Sequence, residues 1–283
     1  MTLAQLKKLT QDKLLKIYNI NESRSIFHLL LEEFLGIDTV NFHINSEKKI
    51  SSNSLKLFNQ KVSLIEKEVP VQYVIGYVKI EGLKILVDKS VLIPRPETID
   101  LCKWVIQEEL HDKQILDIGT GSGLISLFLK KHSKNCTIHA WDNSKNALRI
   151  AIKNADQNNL DVNFNNIDIL KNHSIKTKFD LIVSNPPYVN KKEKDSISNL
   201  VKKNEPDEAI FIFSKDDLLF YKAIIRFSKS HLNVNGIVYF ECHKERINQV
   251  RNLLIINKFT DIEIKKDSFG IDRMIKAKNY GYA

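Results

Sequence analysis

The chain has 283 residues, of which 43% are hydrophobic and 27% charged, with a formal net charge of +9. That length allows one large domain or two smaller ones, and the balance is that of an ordinary soluble globular protein. No apolar run reaches the ~18 residues needed to span a bilayer, and residues 1–15 form an amphipathic stretch with lysines rather than a secretory signal, so a membrane role is excluded and a cytoplasmic location expected.

From residue 1 to about 68, apolar side chains recur at helical spacing, as at Leu3, Leu6, Leu14 and Ile17, and again over 25–35 and 55–65. This predicts a small helical domain over 1–69, with Asn21 and Ser23 as caps before its second helix. Pro70 starts a different pattern. Residues 73–87 are rich in β-branched side chains around a Glu81-Gly82 turn signal, so 70–95 reads as a β-hairpin linker. Pro94-Arg95-Pro96 ends the extended chain, because a residue before proline avoids the α region. Pro96 then opens a helix to about residue 110, at a first-turn position that proline tolerates.

Beyond residue 114, short apolar runs alternate with longer helical patterns. Strands are predicted at 114–118, 137–142, 162–168, 179–184 and 237–241, and helices at 123–131, 145–158, 218–232 and 246–257. Two further β runs, 261–264 and 273–277, close the chain. Such alternation predicts an α/β fold over 96–283, a mostly parallel sheet with helices on both faces.

The charge excess is diffuse. No block of five like charges occurs, and the densest stretch, 191–194, contains Glu193. The excess therefore reads as abundant lysine rather than a nucleic-acid footprint. Cys102, Cys136 and Cys242 lie far apart without a CxxC, and the eight histidines form no ligand-spaced pair. Neither a disulfide framework nor a metal site is expected.

Asp117-Ile118-Gly119-Thr120-Gly121-Ser122-Gly123 falls between the first strand and the first helix of the α/β region. Glycines there allow a tight turn and a close ligand approach. The spacing is GxGxG, not the GxGxxG that presents a helix N-terminus squarely to a pyrophosphate. It suits an amino-acid-bearing sulfonium nucleoside, with Asp117 placed to meet the ammonium. Asp142 ends the second strand about 20 residues on, where a carboxylate accepts ribose hydroxyls. Asp168 ends the third strand, beside the adenine in this reading, and Ile169 covers the ring. These acids converge on the carboxyl edge of the sheet, where open α/β folds bind ligands.

Asn185-Pro186-Pro187-Tyr188 follows the apolar fourth strand. Two prolines lock φ and remove two donors, leaving a rigid loop of carbonyls, one amide and one aromatic ring. A planar NH₂ group offers two donors, and the Asn185 side-chain oxygen and Pro186 carbonyl supply two acceptors. An amide nitrogen is a poor nucleophile, and such acceptors favour the positive charge that develops on it during alkyl transfer. Tyr188 stacks on the flat group, and its hydroxyl has no evident task. Asn185, Pro186 and Tyr188 are thus the candidate catalytic residues. No strong base is needed, because the product nitrogen sheds its proton readily.

With both motifs in hand, the chain resembles class I, Rossmann-like methyltransferases that use S-adenosylmethionine and act on exocyclic or amide nitrogens. The segments Val91-Leu92-Ile93-Pro94-Arg95-Pro96-Glu97-Thr98, Pro70-Val71-Gln72-Tyr73-Val74-Ile75-Gly76 and Asn204-Glu205-Pro206 resemble signatures of the bacterial release factor glutamine methyltransferases, the PrmC/HemK family. The resemblance spans essentially the whole chain. It implies methylation of the glutamine in the Gly-Gly-Gln loop of class 1 release factors; a monomer is expected, with neither a nucleic-acid nor a membrane partner. It also implies cofactor binding by Gly119 to Gly123, Asp142, Asp168, Ile169 and Asn185, substrate binding by Asn185, Pro186, Pro187 and Tyr188, and a helical domain that grips the factor. Ile99 and Ile169 depart from the family pattern, which has an acid and an aromatic there. The competing reading is an adenine-N6 or guanine-N2 nucleic-acid methyltransferase, which predicts a positive channel leading to Asn185.

Overall fold

The computed structural model describes residues 1–133, 135–171, 175–190, 193 and 198–281, so the lysines of the 191–194 stretch lie outside the described residues. The chain forms two compact units, residues 1–77 with 199–204, and residues 78–198 with 205–283. The division falls after Tyr77, which leaves all of the hairpin but that residue in the second unit.

The first unit contains helices α1 (Leu3–Leu14), α2 (Ile20–Leu35), α3 (Thr39–Ile44), α4 (Ser52–Glu66) and α5 (Val71–Ile75). Their apolar stripes meet in one core around Phe27, whose ring contacts Phe42 and Phe58 edge-on at 5.6 and 6.0 Å. Asn19, not Asn21 or Ser23, caps α2. Its side chain accepts from the Asn21 and Glu22 amides while Glu22 reaches back to it. The expected strand character fails over 73–75, which belong to the helix Val71–Ile75. Pro70 sits at its N-cap, Gly76 closes it in the left-handed conformation, and Val74 joins the helical core.

The second unit begins with the hairpin β1 (Tyr77–Ile80) and β2 (Leu83–Leu86), turning through Glu81 and Gly82, both at positive φ as its two-residue turn requires. Then come α6 (Pro96–Val105), β3 (Gln114–Ile118), α7 (Leu124–His132), β4 (Thr137–Asp142), α8 (Lys145–Asn158), β5 (Asn163–Asn166) and β6 (Phe179–Ser184). The expected loop after Tyr188 carries short elements: β7 (Val189–Asn190), α9 (Asn199–Asn204, packed in the first unit), α10 (Asp207–Ile210) and β8 (Phe211–Ile212). The chain closes with α11 (Leu219–His231), β9 (Leu232–Glu241), α12 (Ile247–Ile256), β10 (Thr260–Lys266) and β11 (Asp272–Lys278).

The main sheet has seven strands in the order β10-β11-β9-β6-β3-β4-β5. Strands β5, β4, β3, β6 and β9 run parallel, and β11 and β10 complete the sheet antiparallel. Both faces are covered. Tyr239 of β9 meets Trp104 of α6 edge-on at 5.2 Å, while its neighbours Val238 and Phe240 join the opposite core with Tyr221 and Phe227 of α11. This period of two within a buried strand is why the central strands read as continuous apolar runs. Among the described residues no helix is long and apolar enough to cross a membrane.

The hairpin is held by two asparagines one turn apart on α8. Buried Asn154 accepts from the Leu86 amide at 2.7 Å and donates to the Leu86 and Ser122 carbonyls at 3.1 and 2.9 Å. Asn158 does the same for Lys84. Their amides act as a surrogate strand for β2, and Asn154 also ties it to the glycine loop. Asn154→Ala would strand three backbone groups and should cost about 3 kcal/mol in chemical denaturation, at the usual cost of unsatisfied buried polar groups.

Candidate active site

The order of strand succession reverses at β3, with β4 on one side and β6 on the other. Such a switch point opens a crevice at the carboxyl ends of the strands. Here the crevice holds about 1110 Å³ of empty space, part of it open solvent. Gly119, Thr120, Gly121 and Ser122 line it from the loop after β3, and Asp142 from the end of β4. Asp168 and Ile169 enter after β5, and Asn185, Pro186 and Pro187 after β6. Asp117, Gly123 and Tyr188 do not form its wall.

Asp117 lies behind the wall, fully buried. Its Oδ2 accepts from the Thr120 and Ser126 hydroxyls, both at 2.7 Å, and from the Ser126 amide at 3.2 Å. Its Oδ1 is buried with no hydrogen-bond partner among the described residues. Burial outweighs the three donors and pushes its carboxyl up to about 6.

The loop is also tied sideways. The Gly119 and Thr120 amides donate to the Trp141 carbonyl at 2.8 and 3.0 Å, and the Gly121 amide to Asp142 Oδ2 at 2.9 Å. Asp142 Oδ1 accepts from the Ser144 amide at 2.8 Å. Each oxygen keeps a lone pair for a ligand hydroxyl. Burial first, and Glu208 next among the groups that raise it, lift the Asp142 carboxyl above its usual range.

Gly121 has φ +55° with open space where a Cβ would stand. Gly123 does a different job. At φ +83° it precedes α7, and a Cβ there would lie 3.2 Å from Ala151 Cβ. It lets α7 and α8 pack closely and has no direct part in the crevice. Asp168 stands two residues beyond β5 rather than ending a strand, because β4 runs out at Asp142, opposite Asn166. Its carboxylate turns the chain by accepting from the Leu170 amide at 3.0 Å.

Around Asn185 the structure adds a network. Asn185 Nδ2 donates to Thr98 Oγ1 at 3.1 Å, Thr98 Oγ1 donates to Glu241 Oε2 at 2.7 Å, and the Tyr188 hydroxyl donates to Glu241 Oε1 at 3.4 Å. The Tyr188 hydroxyl therefore has a partner, and its ring lies 5.8 Å from that of His243. Glu241 is buried, and burial is the first cause that pushes its carboxyl up to about 7.

Two family models match the chain, the Methyltransferase small domain over residues 99–206 and the PrmC N-terminal domain over residues 7–76. A Flavobacterium psychrophilum protein named release factor glutamine methyltransferase is 37% identical over 268 residues, covering 93% of this chain and 94% of its own. The chain belongs to the release factor glutamine methyltransferase family. A Lactococcus lactis member of the family is 39% identical, covering 82% of this chain and 85% of its own. A Pyrococcus furiosus methyltransferase structure shares the fold at TM-score 0.54 and 19% identity, covering 82% of this chain and all of that one (100%).

In this member of the release factor glutamine methyltransferase family, the segment before α6 reaches the crevice. Pro94, Arg95 and Thr98 line it. Arg95 pairs with buried Glu205 at 2.6 Å, and Glu205 also accepts from the Ile93 amide at 3.0 Å. Sequence reasoning missed Thr98, Glu205 and Glu241 as parts of the site. Thr98 and Glu205 stood inside recognised motifs, whereas Glu241 is a lone acid at a strand end with no local signal.

Asp117 generates a stability prediction. A carboxyl raised from 3.8 to about 6 stabilises the fold fully below the unfolded value and loses that contribution as pH climbs through the folded one. Denaturation of the ligand-free protein at several pH values should show Asp117→Asn gaining on the wild type between about pH 4 and 7. A difference that stays flat across that window would contradict the burial argument.

Proposed function

We propose that the chain transfers a methyl group from S-adenosylmethionine to the side-chain amide nitrogen, N5, of the glutamine in the Gly-Gly-Gln loop of class 1 release factors. The observation that carries this reading is the anchored Asn185. Its nitrogen is engaged by Thr98, which leaves its oxygen for an incoming N–H at the wall of the crevice.

The residues present fit the cofactor. The open space at Gly121 admits a ligand against the backbone, and the unpartnered Oδ1 of Asp117 is an acceptor in want of a cation. Asp142 would take the ribose hydroxyls. Asp168 would meet the adenine edge, and Ile169 would cover its face. Asp117 would favour the ammonium from behind the loop formed by Gly119, Thr120, Gly121, Ser122 and Gly123. S-adenosylmethionine, when bound, supplies a methyl group made electrophilic by its sulfonium.

The chain's own part is positioning and charge. Asn185 Oδ1 and the Pro186 carbonyl accept the two amide hydrogens and aim the nitrogen. As positive charge develops on that nitrogen, both acceptors gain strength, so they act mostly in the transition state. Pro187 keeps the loop rigid, and Tyr188, hydrogen-bonded to Glu241, holds its far end. The helical unit would grip the release factor away from the reacting loop.

The nucleic-acid alternative finds no support in the crevice. Among the described residues its charged wall is Asp142, Asp168 and Glu208 against Arg95, a balance that favours a cationic ligand over a polyanion.

A transfer assay with labelled cofactor, offering purified release factor and total RNA side by side, tests the assignment. Label should enter the factor and vanish when its Gly-Gly-Gln glutamine is replaced. Label in RNA alone would overturn it. Asn185→Ala should lower kcat about 10²- to 10³-fold, the scale set by loss of one transition-state hydrogen bond, with cofactor affinity by calorimetry nearly intact. Gly121→Val should abolish cofactor binding, since a β-branched residue at positive φ is strained and its side chain fills the crevice.

A further inference from the structure

Asn185 has a two-faced side chain. Its oxygen accepts and its nitrogen donates, yet the two ends have nearly the same size and shape. Packing alone does not choose between them. Turned by half a revolution, Asn185 would offer a donor to a substrate amide that is itself a donor. The choice falls to the partner of the inner end, Thr98 Oγ1 at 3.1 Å. A hydroxyl accepts and donates equally well, so Thr98 does not choose unaided. Its own proton is claimed by Glu241 Oε2 at 2.7 Å. A carboxylate has no proton to give.

We propose that Thr98 and Glu241 are a positioning pair that sets the polarity of this hydrogen-bond chain, and with it the end of Asn185 that meets the substrate. The carboxylate draws the Thr98 proton inward. The hydroxyl then has only lone pairs for Asn185, so Nδ2 must face it and Oδ1 must face the crevice. Glu241 does not line the crevice, so it would act through Thr98 rather than on the substrate itself. The inference rests on the reading of Asn185 as the acceptor for the substrate amide.

Charge state follows from the same geometry. Glu241 is faced by Glu97 and Cys102 of α6, by Tyr188, by Tyr221 of α11, by its neighbour Cys242 and by Arg273 of β11. Burial raises its carboxyl most, Glu97 adds to this, and Thr98, Arg273 and Tyr188 oppose it, leaving it at about 7. Protonated Glu241 would donate to Thr98, Thr98 would donate to Asn185, and the amide would turn over. The competent form is the ionised one, so kcat should fall as pH drops through about 7.

The test measures kcat and KM for release factor with saturating cofactor, from about pH 5.5 to 9. It compares wild type, Thr98→Val, Thr98→Ser, Glu241→Gln and Asn185→Ala. S-adenosylhomocysteine affinity by calorimetry reports that each variant is folded. Thr98→Val should lose about 10- to 100-fold in kcat, the scale of one misdirected hydrogen bond, with KM and S-adenosylhomocysteine affinity little changed. Thr98→Ser should restore it. Glu241→Gln should retain reduced activity and lose the acid limb. Wild-type kcat in Thr98→Val, or an unmoved acid limb in Glu241→Gln, overturns the positioning pair. If Glu241→Gln fails to bind S-adenosylhomocysteine, the two Thr98 variants decide alone. Wild-type kcat in Asn185→Ala would instead overturn the reading of Asn185 itself, and the pair with it. An inactive Asn185→Ala beside a fully active Thr98→Val overturns the pair alone.

Discussion

Asp117 stands at the carboxyl end of β3 with both oxygens out of water, and one of them accepts three hydrogen bonds from Thr120 and Ser126. Those bonds fold the glycine loop back over the strand and start α7 in a fixed direction. The Trp141 carbonyl and the Asp142 carboxylate pin the same loop from the neighbouring strand. The floor of the crevice therefore depends on a buried carboxylate that the crevice wall conceals. Burying it is unfavourable, as its raised carboxyl pKa shows, and a cation near its second oxygen would relieve that.

A second buried carboxylate organises the opposite wall. Glu241 receives Thr98 from α6 and Tyr188 from the loop after β6, and through Thr98 it reaches Asn185. In the proposed reading, the residues that touch substrate are oriented by one that does not, as a supporting shell orients a side-chain amide. Arg95 and Glu205 do related work at the rim, where one ion pair clips the segment before α6 to the start of α10.

Charge separates the surface from the site. The chain carries +9 overall, yet among the described residues the crevice wall has more acids than bases. An acidic crevice suits a cofactor bearing a sulfonium and an ammonium, and it opposes a phosphate backbone.

Much of this was legible from residue order. Strand–helix alternation from residue 114, the turning glycines at 119–123 and the rigid loop at 185–188 are local patterns set by side-chain period, by glycine freedom and by proline φ. Local reading failed where two signals competed. It took 73–75 for strand because β-branched residues outweighed Pro70 and Gly76, and it passed over Asn19, whose capping box with Glu22 decided the start of α2. It aimed Asp117 into the crevice, where the fold turned that side chain to Thr120 and Ser126. Only the tertiary structure placed Glu241. Thr98 and Glu241 are 143 residues apart in sequence, and no local pattern relates them. They meet because β9 lies beside β6 with Phe240 opposite Ser184, which sets Glu241 next to Asn185, and because α6 packs against β9 and brings Thr98 between them. The sequence by itself determined where the glycine loop, the acids that follow the strands and the Asn-Pro-Pro-Tyr loop fall along the chain. Sheet order and register decided which way they face, because that depends on neighbours the chain reaches only by folding.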